Sequence, residues 1–420
     1  MTFVEHDLDR VKQNERLSIL NGVASTIVAN ISNNYFTLFA ISVLGATNYQ
    51  VGLIASLPQF IGMFAMVIGS FFLGRLEEKK RFTGLSILFT RLFVFSMVFV
   101  MYVPVEYRSW VFVFLIGFMN FPGSFALLSW QAFIGDLIPD SRRNRFFSER
   151  NRILTIVGMI STFLIGVLLQ QFDKANPVPY QFLFFFAFVF GVIEVFYLFK
   201  HVEKKKEHKN KVKEKKVRKK INIFKDKRYI TFLLCSLYFN FGWQMAWSLF
   251  NIYQIKYAHA TGLWISLFTV ANQIAQIASY KWWGRMADKH GNAKMLIVVA
   301  LGMSTAPVLT ILSPNLYYLI AVNATSGLFV SGTVLLLFNQ LLEVTKEENR
   351  SSYIANYNIL LAIVGFVAPQ IGIFLLEYSS INIAMTTSTI MRASSAFVFL
   401  WLFMALKNKR QPKVTSSTSI

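Results

Sequence analysis

The sequence predicts an all-α integral membrane protein, with twelve transmembrane helices in two six-helix pseudo-repeat halves. Three observations carry this. Of 420 residues, 55% are hydrophobic, 43 are Phe, and only 15% are charged; a soluble chain runs near a quarter charged. Twelve apolar runs reach the ~20 residues that a helix needs to cross the hydrocarbon core. Charged connections in the first half also recur in the second at matching positions. Together these exclude a soluble enzyme, a disordered chain and a disulfide scaffold.

The elements follow in order. Residues 1–17 carry four acids and three bases, and no cleavable leader is expected there. Span one (18–44) places Thr26, Asn30, Asn33 and Thr37 on one helical face. Spans two (50–73) and three (84–104) follow, the latter holding Arg91. Span four (109–134) contains Asn120, Ser124 and Gln131 and is expected to be interrupted at Phe121-Pro122-Gly123. Span five (153–171) has Gly158 and Gly166 without a proline, and span six (180–199) holds Glu194. Arg91 and Glu194 sit toward the same ends of their spans, where snorkelling to the interface is the simple expectation. Span seven (229–255) sets Asn240, Gln244, Trp247, Ser248, Asn251 and Gln254 at three- and four-residue spacing, with Trp243 beside them. Spans eight (262–283), nine (295–313) and ten (315–342) supply Asn272, Gln276, Asn323 and Ser326. Span eleven (354–376) carries Pro369 and Gly372, and span twelve (381–406) carries Arg392 near its middle, where an unpaired charge is most costly. Runs this long and continuous are helices, not the ten-residue alternating strands of a membrane barrel.

Basic residues set the orientation. Connections on the side of the termini hold 37 Lys and Arg, those on the opposite side hold 3, and the net charge is +21. Both termini are therefore expected in the cytoplasm, and the plasma membrane is the expected location. The basic surplus is a topology signal that requires no nucleic acid. The domains expected are 1–199, a basic linker 200–228, 229–406 and a tail 407–420. The linker reads as a solvated tether that rests partly on anionic lipid headgroups.

The duplication is specific. A shift of 207 residues lays Asp136 on Glu343, Arg143 on Arg350, Phe146 on Tyr353 and Asn151 on Asn358. A shift of 210 lays Gly74-Arg75 on Gly284-Arg285 and Glu78-Lys79 on Asp288-Lys289. Parallel repeats of six spans point to a transporter whose halves rock about a site between them. The loop Gly284-Arg-Met-Ala-Asp288-Lys289-His-Gly291-Asn-Ala-Lys294 closely resembles the G-x-x-x-D-R/K-x-G-x-x-R/K motif of the major facilitator superfamily. Its first copy, around Gly74, Glu78 and Lys79, is degenerate, with Arg81 at the second glycine position. The Asp136…Arg143…Arg145 loop is similar to that family's segment after span four. The resemblance covers essentially the whole chain.

The resemblance implies a conformational gate. Gly284 would allow close backbone approach and Gly291 a tight turn. Asp288 would face a helix N-terminus near Arg150–Arg152, and Glu78 the start of span eleven. Asp136, Arg143, Arg145, Glu343 and Arg350 would be gate partners. It also implies that spans one, four, seven and ten line a central cavity. Candidate substrate contacts are then Asn30, Asn33, Asn120, Asn240, Gln244, Trp247, Asn251, Gln276 and Asn323. Amides bond hydroxyls and a Trp face stacks on a ring, which suits a neutral or amphipathic, sugar-like solute; interhelical bonding is the other use of such amides. Asp, Glu and His are missing at mid-depth in spans one, four, seven and ten, which leans toward facilitated transport or coupling through loop acids. The G-x-x-x-G-P-x-x-G-G signature of many drug exporters is missing from span five, with only an echo at Gly365–Gly372, so drug export ranks lower. A transport-inactive sensor or assembly protein on this fold is the alternative from another class. No phosphate-binding loop, metal-ligand spacing or nucleophile–base set appears, so neither an enzyme nor a cofactor is expected. Cys235 stands alone and is expected to be buried packing, and the five His fall in connections or tails. A monomer with a small-molecule substrate is the expected form.

Overall fold

A computed structural model describes residues 3–72, 79–202, 225–346 and 349–407. Gly74, Glu78, most of the 200–228 linker and residues 408–420 lie outside these, as does the side chain of Asp136. The described chain is all helical: α1 (Phe3–Ser42), α2 (Asn48–Phe72), α3 (Lys79–Ser96), α4 (Val105–Leu137), α5 (Asp140–Gln170) and α6 (Val178–Phe199). These are followed by α7 (Lys227–Met245), α8 (Trp247–Ile252), α9 (Gly262–His290), α10 (Asn292–Leu312), α11 (Leu316–Val344), α12 (Arg350–Tyr378) and α13 (Ile381–Lys407). Among the described residues nine helices are apolar and long enough to cross a membrane. The spans that fall short of that hydropathy, α1, α7–α8 and α9, are ones that the sequence marks with amide-bearing faces.

Three spans differ from expectation. The Phe121-Pro122-Gly123 interruption does not occur, since α4 runs unbroken through Pro122; within a membrane, neighbouring helices satisfy the backbone that a proline frees. Span three passes into a 3₁₀ turn at Met97–Tyr102. Span seven breaks at Ala246 and ends in a π turn at Tyr253–Tyr257.

The chain divides into two compact units, residues 1–218 with 251–270, and residues 219–250 with 271–420. Their internal pairings correspond. In the first, α1 packs on α5 and α6, and α3 on α4 and α6; in the second, α7 packs on α12 and α13, and α10 on α11 and α13. The duplicated aromatic positions agree, because Phe146 and Tyr353 are both buried.

The first unit centres on edge-to-face rings of Phe36, Phe39, Phe112 and Phe184. At one end of α1, Asn14 exchanges two bonds of 2.9 Å with the Val202 backbone, and Arg142 forks onto Glu15 at 2.8 Å. At the other, the Tyr35 hydroxyl lies 2.7 Å from the Thr162 carbonyl and 2.6 Å from Ser266 Oγ. His201, expected in an open connection, is instead buried just past α6. Its Nδ1 lies 3.0 Å from the Tyr197 and Leu198 carbonyls and so donates, while Nε2 is buried without a partner among the described residues. Burial lowers its pKa from the ordinary value, since protonation would bury a second N–H without an acceptor. The unfolded chain then binds the extra proton more readily, so this contribution is complete above about pH 6.5 and is lost as pH falls. His201→Gln should therefore flatten the acid side of the stability–pH curve, measured by thermal unfolding from neutral pH downward.

The second unit has a core of Tyr229, Phe232, Phe239, Trp283, Leu296 and Phe399, with Cys235 buried beside them. Arg392 is almost fully buried at its centre. It is not stranded. Its Nε donates to the Gly242 carbonyl (3.2 Å), Nη2 to that of Trp243 (3.0 Å) and Nη1 to that of Met303 (2.9 Å). Each acceptor belongs to a broken ladder. Met303 lies four residues before Pro307, which has no N–H to return. Gly242 and Trp243 lie in the last turn of α7, where the Ala246 N–H turns to Gln244 instead. Gly242 also lets α13 approach, since a Cβ there would sit 2.9 Å from that of Met391.

Candidate functional site

A cavity of about 400 Å³ lies wholly within the first unit, among α1, α3, α4, α5 and α6. Its α1 wall is Asn21, Ser25, Ala29, Ser32 and Asn33, a stripe about 18 Å long at 1.5 Å per residue. The Asn33 end is neutral, with Met119 and Asn120 of α4 across from it. The Asn21 end is charged, with Arg91, Arg150, Glu194 and Trp130 on the wall.

Arg91 and Glu194 do not snorkel apart. Arg91 Nη2 and Nε donate to Glu194 Oε2 at 2.7 and 3.1 Å, with side chains only 13% and 5% exposed. In hydrocarbon, closing the pair inside the helix bundle satisfies both charges, whereas reaching the interface separately leaves each to thin the bilayer. Asn21 Nδ2 fixes α1 to this corner by donating to the Glu194 carbonyl at 2.8 Å. Arg150 makes no direct salt bridge among the described residues, although Glu194 acts on it through space. Its Nε reaches the Ser18 carbonyl at 3.3 Å, and its guanidinium lies 4.5 Å from the Trp130 ring centre. Trp130 Nε1 is buried without an acceptor among the described residues.

Two glycines make this arrangement possible. A Cβ at Gly22 would lie 2.6 Å from Arg150 Nη2, and one at Gly191 would overlap the Arg91 stem. Sequence reading missed this corner because its charges come from α3, α5 and α6, each looking like an isolated residue near a helix end. The glycines opposite the arginines were the available signal.

The amide candidates separate. Asn33 and Asn120 line the cavity, Asn120 bonding back to the Ile116 carbonyl at 2.8 Å. Asn30 turns aside and donates to the Gly158 carbonyl and Ser161 Oγ, both at 2.9 Å, joining α1 to α5. Asn30→Ala should therefore cost stability, about 1 kcal/mol, as read by thermal unfolding in detergent. In the second unit, Asn240 bonds the Ser236 carbonyl at 2.8 Å, and Ser236 Oγ meets the Tyr357 hydroxyl at 2.7 Å. Gln244 is buried at the α7 break, and Trp247 stands edge-on to Trp243 at 6.1 Å. Gln276, Asn272 and Asn323 form a chain, Gln276 donating to the Asn272 side chain (2.7 Å) and Asn272 to the Asn323 carbonyl (2.9 Å). Asn251 is half-buried and belongs to the first unit.

Of the loop motif, Asp288 and Lys289 are exposed in the last turn of α9, and Lys294 is exposed in the first turn of α10. Gly291 adopts φ 85° between them, a left-handed turn that only glycine takes without strain. Among the described residues nothing lies within 4 Å of a Cβ built at Gly284. Arg143 caps the end of α4, donating to the Gly135 and Ile138 carbonyls at 3.0 and 3.3 Å, as a cation at a helix C-terminus does. Arg145 and Glu343 are exposed, Glu343 accepting from Asn292 at 3.4 Å. Lys79 and Arg350 are half-buried at the starts of α3 and α12.

The profile of the Major Facilitator Superfamily matches residues 18–279 and 234–419. Among solved structures, a nucleoside transporter, NupG, superposes with a TM-score of 0.71 at 12% identity, covering 94% of this chain and 99% of that one. A D-xylose–proton symporter gives 0.71 at 12% identity, covering 93% and 97%. A bacterial homologue of the human lysosomal transporter Spinster, in an inward-facing and unoccupied conformation, gives 0.67 at 9% identity, covering 97% and 99%. No curated protein matches the chain by sequence. At these identities the structural likeness establishes the fold alone.

Proposed function

The chain belongs to the major facilitator superfamily, and from that premise we propose that it is a secondary transporter of a small organic solute. Alternating access of two halves, 1–199 and 229–406, moves the solute, and no reaction is catalysed. The observation that carries this reading is the cavity of the first unit. Polar side chains that face a cavity within the membrane mark a solute path, and Asn33 and Asn120 face one. The apolar patches of Met119, Ala126 and Leu127 beside them suit an amphipathic, sugar-like body. Asn240, Gln244, Trp247 and Asn251 supply similar chemistry on span seven.

Both termini face the cytoplasm in this reading, and the protein is a plasma-membrane monomer. Its 200–228 linker rests on anionic headgroups. The exposed Asp288 is a gate acid that finds its partner in the conformation closed on the cytoplasmic side. Asp288→Asn removes that attraction and should shift the population toward inward-open, read by spin-label distances across the cytoplasmic ends; unchanged distances refute the gate. The deciding experiment is solute flux in proteoliposomes with and without a pH gradient. Flux of a bound solute establishes a carrier, and its response to the gradient separates coupled from facilitated movement. Saturable binding without flux identifies a sensor instead.

A further inference from the structure

We propose that the cavity of the first unit binds the carboxylate of a small organic acid at its Asn21 end, against Arg150. This rests on the transporter reading above and deepens it by naming the substrate class. The charges lining this cavity do not balance. Arg91 and Glu194 cancel, since both Arg91 donors in the pair converge on Glu194 Oε2. Arg150 remains. It touches a backbone carbonyl at 3.3 Å and the face of Trp130, and it feels Glu194 through space, but one carboxylate already bonded by Arg91 cannot balance two guanidinium groups. The cavity therefore carries one uncompensated positive charge, in surroundings where an unbalanced charge is costly. A monoanion matches that charge, and the planar fork of a guanidinium matches a carboxylate in geometry.

The site is not a chance surface charge. Gly22 is vacant where Arg150 Nη2 rests, and Gly191 where the Arg91 stem passes. Two helices have thus given up side chains to seat two guanidinium groups. Trp130 Nε1, a donor with no acceptor among the described residues, borders the same corner. The neutral end of the cavity, at Asn33 and Asn120, then receives the uncharged body of the solute, giving an orientation with the acid group at the Asn21 end.

The test uses full-length protein in detergent and matched acid and amide pairs as probes: glucuronate with glucuronamide, benzoate with benzamide, and nicotinate with nicotinamide. Glucose 6-phosphate serves as a dianion. A ligand that binds only the folded state raises apparent thermal stability with concentration. The expected result is a saturable rise with at least one acid and none with its amide. Arg150→Gln should weaken that acid by at least about tenfold, the scale of one lost charge-assisted contact. Glu194→Gln, which leaves the cavity more positive, should strengthen it, so a poorly folded Arg150 variant does not decide the matter alone. The proposal is overturned by amides that bind as well as acids, by glucose 6-phosphate binding more tightly than every acid, or by no acid binding. Acid affinity unchanged in both variants also overturns it. Flux separates this from the parent reading. Amide or sugar flux without acid preference sinks only the carboxylate assignment, whereas acid binding without flux sinks transport and leaves the anion site standing.

Discussion

Arg392→Met is expected to lose about 3–5 kcal/mol of stability, the scale of two to three buried acceptors left unmet. The loss does not come from an ion pair. Three carbonyls, of Gly242, Trp243 and Met303, each surrender a donor that their own helices cannot replace, and an unmet buried acceptor costs roughly 1–3 kcal/mol. Ser388, which donates to the Gly242 carbonyl at 2.7 Å, softens one of the three. Arg392→Lys should cost less, because an ammonium can still reach part of the set but lacks the planar fork. The mechanism has its own check. Pro307→Ala restores an N–H four residues after Met303, so in the Arg392→Met background it should recover about 1 kcal/mol. Thermal unfolding of the four proteins closes the cycle, and strict additivity would show that Met303 is satisfied by other means.

Gly372→Leu is expected to abolish folding, and Gly372→Ala to cost about 1–3 kcal/mol. A Cβ at this position of α12 overlaps the Met245 carbonyl oxygen at the end of α7. A backbone atom cannot rotate away as a side chain can, so the α7–α12 seam itself must open. The control is Gly284→Ala, where nothing among the described residues lies within 4 Å; there the gain in helix propensity should make the change neutral or stabilising by about 0.5–1 kcal/mol. Yield of monodisperse protein and thermal unfolding report both. Equal tolerance at the two positions would mean that α12 does not lean on α7 as closely as described.

Hydropathy and charge made the membrane spans and the duplicated plan readable, because bilayer thickness and internal repetition act on long stretches of sequence. Single residues were harder. Asn30 and Asn33 looked equivalent on one stripe, yet three residues is about 60° around a helix, enough to send one between α1 and α5 and the other into the cavity. Pro122 read as a break and is none, while the real break at Ala246 has no proline to announce it. Arg91 and Glu194 lie 103 residues apart, and linear sequence offers no reason to pair them. Arg392 read as an isolated cost because its partners are backbone atoms, which every residue has and which only a broken ladder exposes.

Helix α1 has 40 residues, about 60 Å at 1.5 Å per residue, against a hydrocarbon core of about 30 Å. Its projecting turns are pinned by Glu15 to Arg142 and by Asn14 to Val202. The front of the chain is thus a helical extension held to the first unit at Asn14 and Glu15. Any tilt of that unit is amplified at its tip, so a fluorophore placed there would register the transport cycle as a swing, with no label near the solute path.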